Sequence, residues 1–182
     1  MSQAIRQDII NIAEEQIDEI RQKIDYHTTE YTIEFIVDKY LEQDDGGFSE
    51  IYIPEFHRNL RWDINHQSRF IESIILGVPI AAIIVAEIKE TGKLAIVDGA
   101  QRVMTLAAFM TNQLQLSNLT ILDSLNGSYF KDLAPSHQRK FKNTSLRTIV
   151  LSDKADEKVI NEVFYRINSW EDIELRTDRF LN

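Results

Sequence analysis

Between Lys93 and Met110 an apolar run, a glycine and a helix-forming run follow one another without a gap, and this junction constrains the fold more than any other stretch. Lys93-Leu94-Ala95-Ile96-Val97 has the length and apolarity of a buried strand. Val103 to Met110 is rich in helix formers. Val97-Asp98-Gly99-Ala100-Gln101-Arg102 therefore occupies a strand-to-helix turn. Gly99 opens backbone angles closed to other residues and admits a ligand close to the main chain. Free N–H groups at a helix start, together with the positive end of its dipole, attract anions. Arg102 adds a fixed fork of donors suited to phosphate. The turn is a candidate site for a nucleotide phosphate. A plainer reading is compatible with it: Asp98 caps the helix while Gln101 reaches back, as in a capping box.

The stretches on either side supply the rest of an α+β domain. Ile5, Ile9, Ile12, Ile17, Ile20 and Ile24 fall on one side of a helix. The expectation is an amphipathic helix packed on the body, and the alternative is a dimerisation or partner-docking arm. Residues 26–31 read as a polar break. Thr32 can cap a helix over 33–42 that buries Phe35, Ile36 and Tyr40, and residues 48–54 alternate like a strand stopped by Pro54. Two arginines and a histidine lie between the aromatic anchors Phe56 and Trp62, so Arg58 or Arg61 is placed to meet an anion, or is an ordinary surface charge. Asp63 caps a helix over 64–76 that buries Phe70, Ile71, Ile74 and Ile75 and ends at Gly77. Residues 81–88 and 93–97 form a hairpin around Glu90-Thr91-Gly92. A short helical turn is expected at 130–133, a helix opened by Pro135 through Phe141, a strand over 146–151, and a helix from Asp153 to about Ile167 with Val159, Ile160, Val163 and Phe164 inward. No internal repeat is visible.

Composition excludes several classes. The chain has no cysteine, so disulfides, thiolate catalysis and cysteine zinc sites are out, and a cytoplasmic setting is expected. Four histidines (His27, His57, His66 and His137) show no ligand-like spacing. No apolar run is long enough to span a bilayer, and no signal peptide is evident. A net charge of −9 argues against a broad DNA-binding face. The basic cluster His137, Arg139, Lys140, Lys142 and Arg147 reads as a solvated face or as a local DNA contact.

Three stretches in fixed order also carry a family resemblance. Ile53-Pro54-Glu55-Phe56-His57-Arg58 to Trp62 is similar to an I-P-x-[YF]-Q-R … W signature. Ile71 to Ile80 is similar to I-E-S-I-L-x-G-x-P-I, and Val97 to Leu106 to D-G-Q-Q-R-x-x-T-L. Leu125-Asn126-Gly127 and residues 164–169 fit the same pattern. Together, over roughly Thr32 to Ser169, they resemble the N-terminal domain of GmrSD-type restriction proteins, a bacterial family with a ParB/sulfiredoxin-like fold. The resemblance implies a small mixed sheet with surrounding helices over 26–182, preceded by an N-terminal helical arm over 1–25.

The resemblance further implies binding, and with some members hydrolysis, of nucleoside triphosphates, as the regulatory half of nucleases that attack phage or modified DNA. Carried over position by position, it assigns catalytic roles to Asp98, Gln101 and Arg102. It assigns nucleotide binding to Arg58, Gly99, Gln101, Arg102, Arg166 and Asn168. Arg102 and Arg58 would clamp phosphate oxygens, Asp98 would hold Mg²⁺ beside the triphosphate, and Gln101 would orient a water or bond a phosphate. The chain departs from the pattern at Ala100, which stands where the first Gln of D-G-Q-Q-R belongs and removes an amide. His57 replaces the Gln before Arg58, and Ser169-Trp170-Glu171 stands where a Gly-rich turn usually follows. No His-Asn-His nuclease segment follows, so a separate nuclease subunit is the expected partner, alongside self-association through the N-terminal helix. Two other functions remain open: a ParB-like DNA-binding module, and an interaction domain whose active site was lost with the Gln that Ala100 replaces.

Overall fold

The computed structural model describes residues 3–44, 46–47, 49–54, 62–153, 160, 162–163 and 165–167. Among them a five-stranded mixed sheet forms the centre, ordered β1-β5-β3-β4-β2. The strands are β1 (Tyr26–Thr32), β2 (Ile51–Tyr52), β3 (Ile83–Glu87), β4 (Leu94–Asp98) and β5 (Ser145–Leu151). β1 lies antiparallel to β5, with Tyr26 opposite Leu151 and Thr32 opposite Ser145. β3 runs parallel to β5 and antiparallel to β4, and β4 runs parallel to β2. The expected hairpin of residues 81–88 and 93–97 is present, its first strand shortened to Ile83–Glu87 and its second shifted by one residue to Leu94–Asp98.

Both faces of the sheet are covered, which is why its inner strands read as unbroken apolar runs. Ile83 and Val85 of β3 and Ile96 of β4 face one large core. That core is built with α2 (Ile33–Leu41), α3 (Ile64–Leu76), α4 (Ala100–Met110) and α5 (Pro135–Lys142). Ile71, Ile96, Leu106 and Phe109 are fully enclosed there, each side chain contributing about 1.5–3 kcal/mol by leaving water. Phe109, Phe130 and Phe141 form an aromatic cluster with centroids 5.5–5.7 Å apart, mostly edge to face. On the opposite face, Ile84, Ala86, Val97 and Leu151 make a smaller cluster covered by Ile160 and Val163. These two residues point inward as expected, while Val159 and Phe164 lie outside the described residues.

The caps follow the sequence closely. Thr32 Oγ1 accepts from the Phe35 N–H at 3.2 Å, and Asp63 Oδ1 accepts from the His66 N–H at 2.9 Å. Gly77 ends α3 in the left-handed conformation. The turn over Phe130–Asp132 and the Pro135 helix are also present.

Three expectations fail. Residues 26–31 are not a break: they are the edge strand β1, in which Tyr and Thr supply β propensity and a solvated edge tolerates polarity. Phe35 lies outside the core and stacks on Tyr31 at 4.7 Å, while Ile33 and Val37 take the inner positions of α2. The N-terminal helix α1 (Gln3–Lys23) does not pack on the body: Ile9, Ile10, Ile12, Ile17 and Ile20 are each about half exposed.

Candidate functional site

β4 delivers Asp98 to the end of the sheet, and α4 begins two residues later at Ala100. The residue between them, Gly99, has φ +96°, a left-handed conformation that disfavours any side chain. Space is short as well: a Cβ there would sit 3.2 Å from Ile83 Cγ1 and 3.4 Å from Arg102 Cζ. Glycine is thus required at this position both by its torsion angle and by the close approach of β3 and Arg102.

Asp98 is not the helix cap expected from sequence. Gly99 occupies the cap position, with no side chain bonded to the first turn. The reason lies at Arg102. Its Nη2 donates to Asp98 Oδ2 at 2.6 Å, and its Nη1 donates to the carbonyls of Ala81 and Ala82, the latter at 3.0 Å. The carboxylate is thus paired with the residue four positions on and makes no cap bond to the first turn of α4. The Arg102 side chain is 11% exposed and that of Asp98 20%. The planar fork therefore joins the entry to β3, the end of β4 and the first turn of α4, a task for which its several fixed donors are suited. The sequence reading has this fork as a phosphate clamp, whereas two of its nitrogens are committed to protein acceptors. A consequence favours the anion reading by another route: with no cap, the N–H groups of Ala100, Gln101 and Arg102 have no protein acceptor among the described residues. Asp98 Oδ1 is likewise without a partner among them.

Gln101 holds the site from the other side. Its Oε1 accepts from the Trp62 N–H at 2.9 Å, and its carbonyl accepts from Thr105 Oγ1 at 2.7 Å. Trp62 in turn packs edge to face on Phe70 of α3, with centroids 5.5 Å apart. Gln101 thus fastens the residue that closes the 55–61 segment to the head of α4. Arg58 and Arg61, the second source of guanidinium groups, lie in that segment, outside the described residues, as do His57 and Asn168. Arg166 is described: it is exposed, and its Nε donates to Glu162 Oε1 at 2.6 Å. Ile160 and Val163, six and three residues before it, pack against the cluster of Ala86, Val97 and Leu151, whose Val97 is the neighbour of Asp98. The structure therefore gathers Asp98, Gly99, Gln101, Arg102 and Trp62, with the segment bearing Arg166 lying over the adjoining sheet face.

Sequence reasoning missed the polar residues that fix the loop after α4. Ser68 and Glu72 lie four apart on the inner face of α3 and are both buried. Ser68 Oγ accepts from the Ser117 N–H at 3.0 Å. Glu72 Oε1 accepts from the N–H groups of Ile121 and Leu122, at 3.2 and 2.7 Å. Asn126 closes the same loop by bonding both the N–H and the carbonyl of Leu119. The available signal was the spacing: two polar residues on the stripe that Phe70, Ile71 and Ile74 make apolar. In the basic cluster, Lys142 is bonded to Glu34 at 2.8 Å and Arg147 stands opposite Glu30 in the β1–β5 register.

The model of the GmrSD restriction endonuclease N-terminal domain matches residues 33–171. The chain belongs to this family. The match begins at the first residue of α2 and takes in the Asp98 turn, the Glu72 anchor and Arg166. The matched residues thus begin after α1 and β1. No match was found among curated proteins, and none among solved structures. Among the described residues no helix is long and apolar enough to cross a membrane.

Proposed function

We propose that this GmrSD-type domain is a nucleotide-responsive regulatory module, of ParB/sulfiredoxin-like fold, that binds a nucleoside triphosphate with Mg²⁺ at the β4–α4 turn. The observation that carries the reading is the uncapped start of α4. Three N–H groups without an acceptor among the described residues and the positive end of an 11-residue helix provide an anion site. The carboxylate that would have satisfied those groups is held aside by Arg102.

The donor set also fits Mg²⁺. This cation is commonly held by one or two carboxylates plus phosphate oxygens and water. Asp98 supplies one carboxylate oxygen without a partner among the described residues, two positions before the first of the amides that would receive the phosphates. Among the described residues no three histidines or carboxylates gather, so phosphate and water would complete the coordination. In this reading Arg102 is a positioning residue for Asp98 and for the turn. Gln101 couples the turn to Trp62 and so to the segment carrying Arg58, and Arg58, Arg166 and Asn168 would complete the phosphate and nucleotide contacts. Ala100 removes one amide from the D-G-Q-Q-R motif, which affects water orientation more than phosphate binding. Binding is therefore the expected activity of this domain, through which it would regulate a nuclease activity.

A thermal-shift panel of nucleoside triphosphates with Mg²⁺ tests this. At one hundred times the dissociation constant a ligand adds about 2.7 kcal/mol, which in a chain of this length raises Tm by roughly 5–10 °C. Gln101→Glu keeps the acceptor for the Trp62 N–H and places a negative charge among the phosphate donors. It should leave the unliganded Tm unchanged and abolish the shift. No shift with any triphosphate in the wild-type chain would refute the proposal.

A further inference from the structure

The helix α1 leaves a wide apolar face uncovered. Ile9, Ile10, Ile12, Ile17 and Ile20 are each 47–56% exposed. At about 100° per residue these side chains spread over an arc of roughly 160°, broader than the narrow seam of a two-stranded coil. The rest of the helix is mainly acidic, with Asp8, Glu14, Glu15, Asp18 and Glu19 against Arg6, Arg21 and Lys23.

A matching surface lies elsewhere on the body. Two adjoining clefts of about 130 and 210 Å³ share Ile74, Gly77 and Thr144 and run between the end of α3 and the start of β5. Their floor is apolar (Ile74, Leu76, Val78, Ile80), with Leu76 and Val78 more than 40% exposed. Every charged or titratable residue lining them is basic: His137, Lys140 and Arg147. An acidic amphipathic helix fits such a groove in both shape class and charge.

The chain does not fill its own groove: among the described residues no side chain of α1 lines it. Only Ile24 and Asp25 separate α1 from β1, and the Asp25 carbonyl is held by the Ser152 N–H at 2.9 Å. That exit lies beside Leu151, whereas the groove lies at the Ser145 end of β5, six residues away, or about 20 Å along the strand. We propose that α1 of one copy docks into the Ile74–Ile80 and α5 groove of a second copy. Reciprocal exchange of the two helices gives a closed two-fold dimer. This assignment is independent of nucleotide binding.

Sedimentation of the full chain over a concentration series tests it. The wild-type chain should dimerise. An arm variant (Ile17→Asp with Ile20→Asp) and a groove variant (Leu76→Asp with Val78→Asp) should each weaken association by roughly a hundredfold or more. All four positions are solvent-exposed in the isolated chain, so circular dichroism should show both variants folded. An equimolar mixture should recover association, because the intact arm of one variant meets the intact groove of the other. Three outcomes would overturn the proposal: a wild-type chain that stays monomeric, a groove variant that dimerises like wild type (which would indicate pairing of α1 with α1), or a mixture that does not recover.

Discussion

Replacing Gly99 by alanine isolates what the β4–α4 turn requires of its backbone. The left-handed conformation costs a non-glycine residue about 1–2 kcal/mol, and φ +96° lies beyond the left-handed minimum. The added methyl carbon would also press on Ile83 Cγ1 at 3.2 Å and on Ile83 Cγ2 and Arg102 Cζ at 3.4 Å. Ile83 is only 2% exposed, so its side chain has little room to yield. Torsion and crowding together give a loss of about 2–3 kcal/mol, which for a chain of this length lowers Tm by roughly 4–12 °C. Gly92→Ala is the control: its φ is +66° and nothing lies within 4 Å of the new carbon, so only the torsional part applies. Urea unfolding of the three proteins at pH 7, with common slopes, gives both differences. If Gly99→Ala is no less stable than Gly92→Ala, the crowding argument is wrong, and with it the claim that β3 and Arg102 press on this turn. Where the chain does yield, the head of α4 must move, so the same variant should also lose its response to triphosphate.

Other consequences are open to direct measurement. Arg102→Ala strands Asp98 and two carbonyls and should cost about 3 kcal/mol in urea unfolding. Arg102→Lys should recover less than half of that, since one ammonium cannot reproduce the fork, and a lysine variant as stable as wild type would contradict the geometry. Glu72→Ala removes the acceptor for two loop N–H groups and should cost about 2–3 kcal/mol, with hydrogen exchange rising at Ile121 and Leu122; unchanged exchange there would refute the anchor. The His66 backbone N–H, followed by the His66 ring, holds the Asp63 carboxyl below its ordinary 3.8. A lowered carboxylate contributes stability that is full above 3.8 and fades as pH falls through the folded-state value. Asp63→Asn should therefore flatten the acid limb of the stability profile below about pH 4, and an unaltered limb would remove Asp63 from the list of contributing groups.

What the sequence disclosed was mostly local. Thr32, Asp63, Gly77 and Pro135 mark helix ends because each acts through its own backbone or the next few residues. The strand–glycine–helix junction was legible for the same reason. Asp98 was misassigned as a cap because its partner choice depends on the carbonyls of Ala81 and Ala82, which only the folded sheet brings to Arg102. The bond from Trp62 to Gln101 spans 39 positions and left no trace in spacing. β1 was hidden because an edge strand with exposed residues shows no apolar alternation, and α1 was expected to pack because its stripe looks the same whether the body or another molecule covers it. Ser68 and Glu72 were within reach, as polar interruptions of an otherwise apolar helix face.

Backbone amide NMR of the 21.2 kDa chain, titrated with Mg²⁺ and a nucleoside triphosphate, locates the phosphates. The amides of Ala100, Gln101 and Arg102 should move first and furthest, followed by Trp62 through its bond to Gln101. Saturable changes confined to other residues, or three unmoved amides at saturating triphosphate, would show that the head of α4 is not a phosphate site.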